Sequence, residues 1–432
     1  MGKFDDKETK ALLDCFLNKA FDSIVRDQAD WKKNTRHQAG LRTNLGLTFC
    51  IDRSMLEAED AIVSKLVSKL GPQLGHYKEI ADAIWAVAAK GFSEGKQPTD
   101  PKLVAGCFSK LDDLASKTVQ FLHPAYNVAL VESVKEVRIG PVVLRDGLSV
   151  ASRLSKQNAE ITFGIERPPG FQWDSKKIQY NVSETMWDIK VASSSAARFE
   201  YASWLSCIAT SLIRLIVEPD QVGTLQPRRS DIENQPFNSH RTFDEHITVV
   251  AAGSFSLGGG KAGRHYELGK NAKRSLSDRV VRERISLIFD PPNKSLALRF
   301  SQGLGWLAKG RQAKDRSDRF LFFFTALEAL LSSDDKTSPV VQTIARHAAV
   351  LWTNEIPGRM KISQKIKKLY ATRSALVHAG SRSVTYEGTT EIHEIAEIVF
   401  FAVWDTADLK MTHKSFCEKL SEASYGLPYF EG

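Results

Sequence analysis

Two residues near the end of one helical pattern have the types and spacing that chemistry requires. Between Ile362 and Ala379 the apolar positions Ile362, Ile366, Leu369, Tyr370, Leu376 and Val377 recur at helical intervals, and Arg373 falls inside that stripe. A guanidinium placed there needs a partner, because a buried charge left uncompensated is strongly destabilising. The partner is either a carboxylate or a bound phosphate, and Glu328, within Ala326-Leu-Glu-Ala-Leu-Leu331, is the internal candidate. His378 follows five residues later, about 140° around the helix axis and roughly 7.5 Å along it. It continues a lane of Lys367, Ala371 and Ser374, whose short members let a neighbouring helix or ligand come close. Just before Gly380, unpaired carbonyls and the negative end of the helix dipole favour a protonated imidazole. A protonated imidazole in that position suits a general acid. Two plainer readings stay open at this point: an Arg373–Glu328 pair that only organises the helices, and a His378 that only caps one.

The elements that must position these residues fall in three parts, an α+β multidomain arrangement. Residues 1–125 read as an N-terminal helical domain, from the spacing of Leu12, Leu13, Phe16, Leu17 and Phe21 and of similar patterns over 55–70 and 80–92, with the last helix running on towards Val119. Breaks are expected at Gly71-Pro72 and over 95–101. Residues 126–285 read as a mixed sheet and helix region. Strands are expected over 134–144, 159–165, 177–182 and 246–251, with a turn at Pro168-Pro169-Gly170. A helix through Phe199, Trp204, Leu205, Ile208, Leu212 and Leu215 is placed on the flank of the sheet, and 218–241 is placed as a surface loop. Residues 286–432 read as an antiparallel helical bundle. Its expected helices are 296–307, then 320–331 with Asp318 at its cap, then 340–352 opened by Ser338-Pro339. Pro357 and Gly358 lie beyond that third helix, and two more follow over 362–379 and 390–409.

Composition narrows the classes. The chain has 432 residues, 42% hydrophobic and 25% charged, as in an ordinary globular protein. Its N-terminus is charged and its longest apolar run, 320–331, is too short to cross a bilayer, so a cytoplasmic chain with no membrane partner is expected. The five cysteines lie far apart without metal-ligand spacing, so neither structural zinc nor thiol chemistry is expected, and nothing calls for a metal or cofactor. A net charge of +8 favours a polyanionic partner. Gly258-Gly-Gly-Lys261 suggests a phosphate loop, but Phe255 stands where a glycine is required and Ala262 offers no hydroxyl for magnesium, so a hairpin tip is the better reading. After it, Lys261, Arg264, Lys270, Lys273, Arg274, Arg279, Arg282 and Arg284 form the most basic stretch, either a solvated face or a track for a phosphodiester backbone.

Three segments carry a resemblance: Arg319-Phe-Leu-Phe-Phe-Phe-Thr-Ala-Leu-Glu-Ala-Leu-Leu331, Thr343-Ile-Ala-Arg-His347, and Leu369-Tyr-Ala-Thr-Arg-Ser-Ala-Leu-Val-His-Ala-Gly380. Together, over about 290–410, they resemble the Apea-like branch of the HEPN superfamily, whose mark is Arg followed by four to six residues and His. Many members carry Asn, Asp or His directly after the arginine, where this chain has Ser374. The resemblance implies a C-terminal HEPN bundle that dimerises so that two motif helices share one metal-independent ribonuclease site, of an antiphage-defence or toxin type. Arg373 and His378 would be catalytic, with Glu328, Ser374, Arg346 and Tyr370 in support. Lys367, Lys368, Lys270, Lys273 and Arg274 would contact RNA. The implied partners are RNA, tRNA included, a second copy of the chain and a phage-derived trigger. The alternative from the same resemblance is a non-catalytic HEPN module that binds RNA or protein.

Overall fold

A computed structural model describes residues 6–25, 38–44, 46–70, 76–116, 118–155, 160–163, 179–192, 197–219, 233–237, 246–251, 254–258, 266–332, 339–382 and 384–429. Fourteen helices and thirteen strands occur among them. The protein is mostly helical, with a small antiparallel sheet in its central region and helices packed together towards its C-terminus. Two compact units are present, Met1–Gln120 with Lys190–Ala202, and Phe121–Ile189 with Ser203–Gly432.

The first unit contains α1 (Lys7–Asp22), β1 (Ile24–Val25), β2 (Gln38–Asn44), β3 (Leu47–Asp52), α2 (Arg53–Leu70), α3 (Tyr77–Ser93) and α4 (Pro101–Ser116). The region expected to be helical throughout therefore also holds a three-stranded sheet, in the order β1-β3-β2. The signal is short: Phe49 and Ile51 face the core while Cys50 between them does not, a period of two confined to one strand. Trp85 anchors this core, edge-on to Phe16 and Phe49, and its indole N–H donates to the buried Glu59 at 2.8 Å. The helix expected to continue towards Val119 stops at Ser116, because the chain re-enters extended structure in β4 (Thr118–Pro124).

The chain continues with β5 (Val128–Leu130), β6 (Glu136–Ile139), β7 (Val142–Asp146), α5 (Gly147–Ser155), β8 (Glu160–Phe163), β9 (Gln179–Val182) and β10 (Thr185–Ala192). Strands β4-β10-β7-β6 form the four-stranded sheet, with β10 and β6 each antiparallel to β7. Gly140, at φ 60°, turns the β6–β7 hairpin with Pro141. The expected strands over 159–165 and 177–182 correspond to β8 and β9, which pair in parallel. The proposed breaks at Gly71-Pro72 and Pro168–Gly170 lie outside the described residues.

Next come α6 (Arg198–Val217), β11 (His246–Ala251), β12 (Ser254–Gly258), β13 (Tyr266–Leu268), α7 (Lys270–Ser277) and α8 (Arg279–Phe289). Helix α6 is long and apolar enough to cross a membrane by length and composition. Every residue from Leu205 to Leu215 is buried in protein. It is a core helix: Trp204 packs edge-on to Trp306, and Ser211 Oγ donates to the Leu304 carbonyl at 2.8 Å. Strands β11 and β12 pair antiparallel with Ala251 opposite Ser254, so Gly258, expected in a hairpin tip, instead ends β12 opposite His246. Gly259, Gly260, Lys261 and Arg264 lie outside the described residues.

Six helices complete the chain: α9 (Leu296–Gln312), α10 (Arg316–Leu331), α11 (Val340–Trp352), α12 (Ile356–Ala379), α13 (Tyr386–Thr406) and α14 (His413–Ala423). Helix α10 starts earlier than expected and is capped by Asp315, whose carboxylate accepts from the Ser317 and Asp318 amides; Asp318 sits in the first turn. Pro357 and Gly358 lie beyond the end of α11, as expected, but α12 begins at Ile356 rather than near 362 and so includes them, consistent with proline's tolerance in a first helical turn. Pro339 precedes α11, while Ser338 lies outside the described residues. Helix α9 tolerates three glycines because neighbours press against them; a Cβ on Gly310 would fall 2.6 Å from the Phe323 ring.

A buried charge cluster joins these helices. Glu397 on α13 takes Arg214 of α6 in a two-pronged pair, with Nη2 to Oε2 at 2.8 Å, and lies 3.0 Å from His393 Nε2. Arg311 of α9 donates through Nε to Glu233 at 2.6 Å and through Nη2 to Ser211 at 2.8 Å, and Tyr266 donates to the same Glu233. Two guanidiniums thus face two carboxylates, all under a tenth exposed. Burial opposes ionisation of Glu397, but Arg214 and His393 outweigh it and hold the carboxyl well below the usual carboxylate range. The expected surface loop over 218–241 is corrected here: within its described part, Glu233, Asn234, Pro236 and Phe237 are buried, because Glu233 reaches Arg311. Removing one member of such a cluster strands the others. Glu397→Gln is expected to lower unfolding free energy by roughly 3–5 kcal/mol, read from the denaturant midpoint at unchanged slope; an unmoved midpoint would contradict this role.

Candidate functional site

Helix α12 is fixed at three points, and these determine where its C-terminal end stands. At its start the buried Arg359 donates to three carbonyls, those of Thr353 at 2.8 Å, Ala423 at 2.6 Å and Leu427 at 3.1 Å, and so ties the helix to the end of α14. In the middle Lys365 pairs with Glu391 of α13 at 3.1 Å. Towards the end Arg373 Nη2 donates to Glu328 Oε2 of α10 at 3.2 Å. Ile362, Ile366 and Leu369 bury the intervening face.

The internal partner of Arg373 is therefore Glu328, but the pair is not sealed. Arg373 is 23% exposed and Glu328 21%. Tyr370 supports the guanidinium, which lies 5.5 Å from its ring centroid, and Tyr370 itself packs edge-on to Phe324 at 5.9 Å. One Glu328 oxygen, Oε1, is buried with no hydrogen-bond partner among the described residues. Burial pushes the Glu328 carboxyl up from its ordinary value, and Arg373 only partly opposes this.

Gly380, at φ 64°, ends α12 in the left-handed conformation and its amide returns to the Ala375 carbonyl. His378 occupies the last turn, exposed and without a partner among the described residues. Ser374 is half-buried between it and Arg373. Val377, expected in the apolar stripe, is 48% exposed, while Leu376 beside it is half-buried.

The remaining expected residues are distributed as follows. Lys367 and Lys368 are exposed on α12, and no side chain among the described residues pairs with them. Arg346 is exposed on α11. Its neighbour His347 is buried instead, bridging the Leu331 carbonyl at 3.0 Å and Ser421 Oγ at 2.9 Å, and burial pushes its pKa down to about 4. Lys270, Lys273 and Arg274 are exposed on α7, which packs on β6, β13 and α8, so they share no element with Arg373 and His378. Arg284, from the same basic stretch, turns inward over the Trp404 ring at 4.9 Å.

The structure thus brings together Arg373, Glu328, Tyr370 and Ser374, places His378 one turn further along the same helix, and leaves the α7 cations on another element. Residues missed in the sequence are Lys361, a further exposed lysine of α12, and the buried cluster around Glu397. Their signals were present: α12 contains no acidic residue, and Arg214 and Glu397 each interrupt an apolar helical face. A cavity of about 770 Å³ lined by Asp405, Asp408, Lys419, Glu422 and Tyr429, among others, includes none of the expected site residues. Among the described residues no group of three or more His, Cys, Asp or Glu side chains stands together to hold a metal ion. Comparison of the chain with protein-family models, curated proteins and solved structures gives no match.

The raised Glu328 pKa carries a sign. A carboxyl that binds its proton more tightly in the folded chain makes the fold less stable as pH rises from the unfolded value, near 4.5, through the raised folded value. Glu328→Gln removes that loss. In thermal unfolding across this pH window, the variant is expected to gain on the wild type as pH rises; a constant difference would show that burial of Glu328 carries no such cost.

Proposed function

We propose that the C-terminal helical region is an HEPN-type bundle and that the protein is a metal-independent endoribonuclease with a site shared between two copies. The observation that carries this reading is the end of α12: a guanidinium held by Glu328 and Tyr370 yet still open to solvent, and one turn on a solvent-facing imidazole that nothing in the described chain engages. One copy spreads the two groups apart on its helix. Two antiparallel copies would set two imidazoles and two guanidiniums about one phosphate.

RNA brings its own nucleophile. The protein has to take the proton from the 2′-hydroxyl, let that oxygen attack phosphorus, and protonate the 5′-oxygen as the P–O5′ bond breaks. His378 serves as acid or base, and Arg373 stabilises the negative charge that accumulates on the phosphorane. The products carry 2′,3′-cyclic phosphate and 5′-hydroxyl ends. In the cell such an activity fits antiphage defence or toxin-like growth arrest, with residues 1–285 responding to a trigger.

The Arg373–Glu328 contact also favours a second reading, a non-catalytic module binding RNA or protein, in which the pair is only an internal tie. Purified protein incubated with total RNA in EDTA separates the two. The wild type is expected to cut, and Arg373→Ala and His378→Ala each to lose about 10²-fold or more in rate, the order of magnitude for removing a general acid–base or an oxyanion-stabilising group. Equal cleavage by all three, or none by the wild type, would leave the binding module.

A further inference from the structure

The outer face of α12 has a property that bears on how two copies could meet. Across its 24 residues the helix has no aspartate or glutamate. Its other cations are neutralised or spent internally: Lys365 on Glu391, Arg373 on Glu328, and Arg359 on backbone carbonyls. Lys361, Lys367 and Lys368 remain, all exposed and without a partner among the described residues, and they lead along one side of the helix to the exposed His378. From Lys361 to His378 the track is about 25 Å long at 1.5 Å per residue.

The apolar surface beside this track is small. Ile356 is 47% exposed and Met360 59%, both in the first turns; beyond them the outer face carries Gln364, Ala371 and Ala375, while Val377, 48% exposed, lies on the side of the apolar stripe. If two such helices lie antiparallel, each presents its uncompensated lysines to the other, with little apolar area gained in return. At low ionic strength that repulsion is unscreened, and it fades as salt shortens the Debye length. A phosphodiester backbone supplies the missing negative charge at a regular spacing, and charge complementarity singles it out as the occupant of this face.

We infer that the α12 face binds a nucleic-acid phosphate backbone and that two copies associate across α12 only once that backbone neutralises Lys361, Lys367 and Lys368. This rests on the shared-site reading above and adds its regulation: the complete site assembles on the polyanion. Isolated chains therefore hold the two halves apart, and encounter with RNA brings them together.

The test is sedimentation velocity on the full chain, with and without a 2′-O-methyl oligoribonucleotide, which lacks the attacking hydroxyl and is not cut. Expected are a monomer alone at low salt and a two-to-one protein–oligonucleotide complex when it is added. Six lysines give a log–log salt slope of about −4, at roughly −0.7 per neutralised phosphate on a single strand. Lys367→Ala with Lys368→Ala should flatten that slope by about 3 and, with less repulsion, increase self-association without oligonucleotide. A dimer that forms at low salt without oligonucleotide, complexes that stay one-to-one, or a slope unchanged in the double variant would each overturn the inference. Because the probe cannot be cleaved, this outcome is independent of the EDTA assay: a constitutive dimer that cuts RNA sinks only the inference, and a polyanion-driven dimer that never cuts sinks only the nuclease.

Discussion

One buried carboxylate sets the frame on which the candidate site depends. Glu397 receives Arg214 from α6 and His393 from its own helix, and Arg311 of α9 lies 3.7 Å away. These charges are stable in the interior only together, so α6, α9 and α13 cannot shift independently without exposing one of them to an uncompensated interior. The constraint then passes to α10, because the His393 ring stacks on Phe323 at 4.4 Å. Helix α10 presents Glu328 from the same rigid element, and Glu328 sets where Arg373 can stand. Positioning of the outermost functional group thus traces back to electrostatics in the core.

The same physics explains why α12 ends differently from how it begins. Its first half is buried through Ile362, Ile366 and Leu369 and tied by Arg359 and Lys365. Beyond Tyr370 burial falls, with Arg373, Ser374 and Leu376 half-buried and Val377 and His378 exposed. A helix end of this kind combines a fixed root with an accessible tip. The unpartnered Glu328 oxygen beside Arg373 adds an acceptor site that the described chain leaves unused.

Much of this was legible in the residues. The helices over 296–409, the Gly380 stop and the Arg373–Glu328 partnership follow from spacing, capping and the cost of a lone buried guanidinium. Segments whose signals are short or cross long stretches of chain were not legible. Strand β3 shows its period of two over a few residues beside long helical patterns, and so reads as part of them. Glu233 looks like one more polar residue in a polar stretch, because its partner Arg311 lies 78 positions away. Asp315 and Asp318 both precede an apolar run, and only backbone geometry reveals which one accepts the first-turn amides. Val377 fits the apolar stripe by its type, yet it stands 48% exposed.

The central claim is that Arg373 of one copy and His378 of another act on the same phosphate. Mixing the Arg373→Ala and His378→Ala proteins in equal amounts tests it most directly, because a mixed pair holds one intact guanidinium and one intact imidazole on opposite chains. The account predicts RNA cleavage in the mixture well above the sum of the two variants assayed alone, with 2′,3′-cyclic phosphate ends on the products. A mixture no more active than its components, beside a wild type that cleaves, would contradict a site built across two chains.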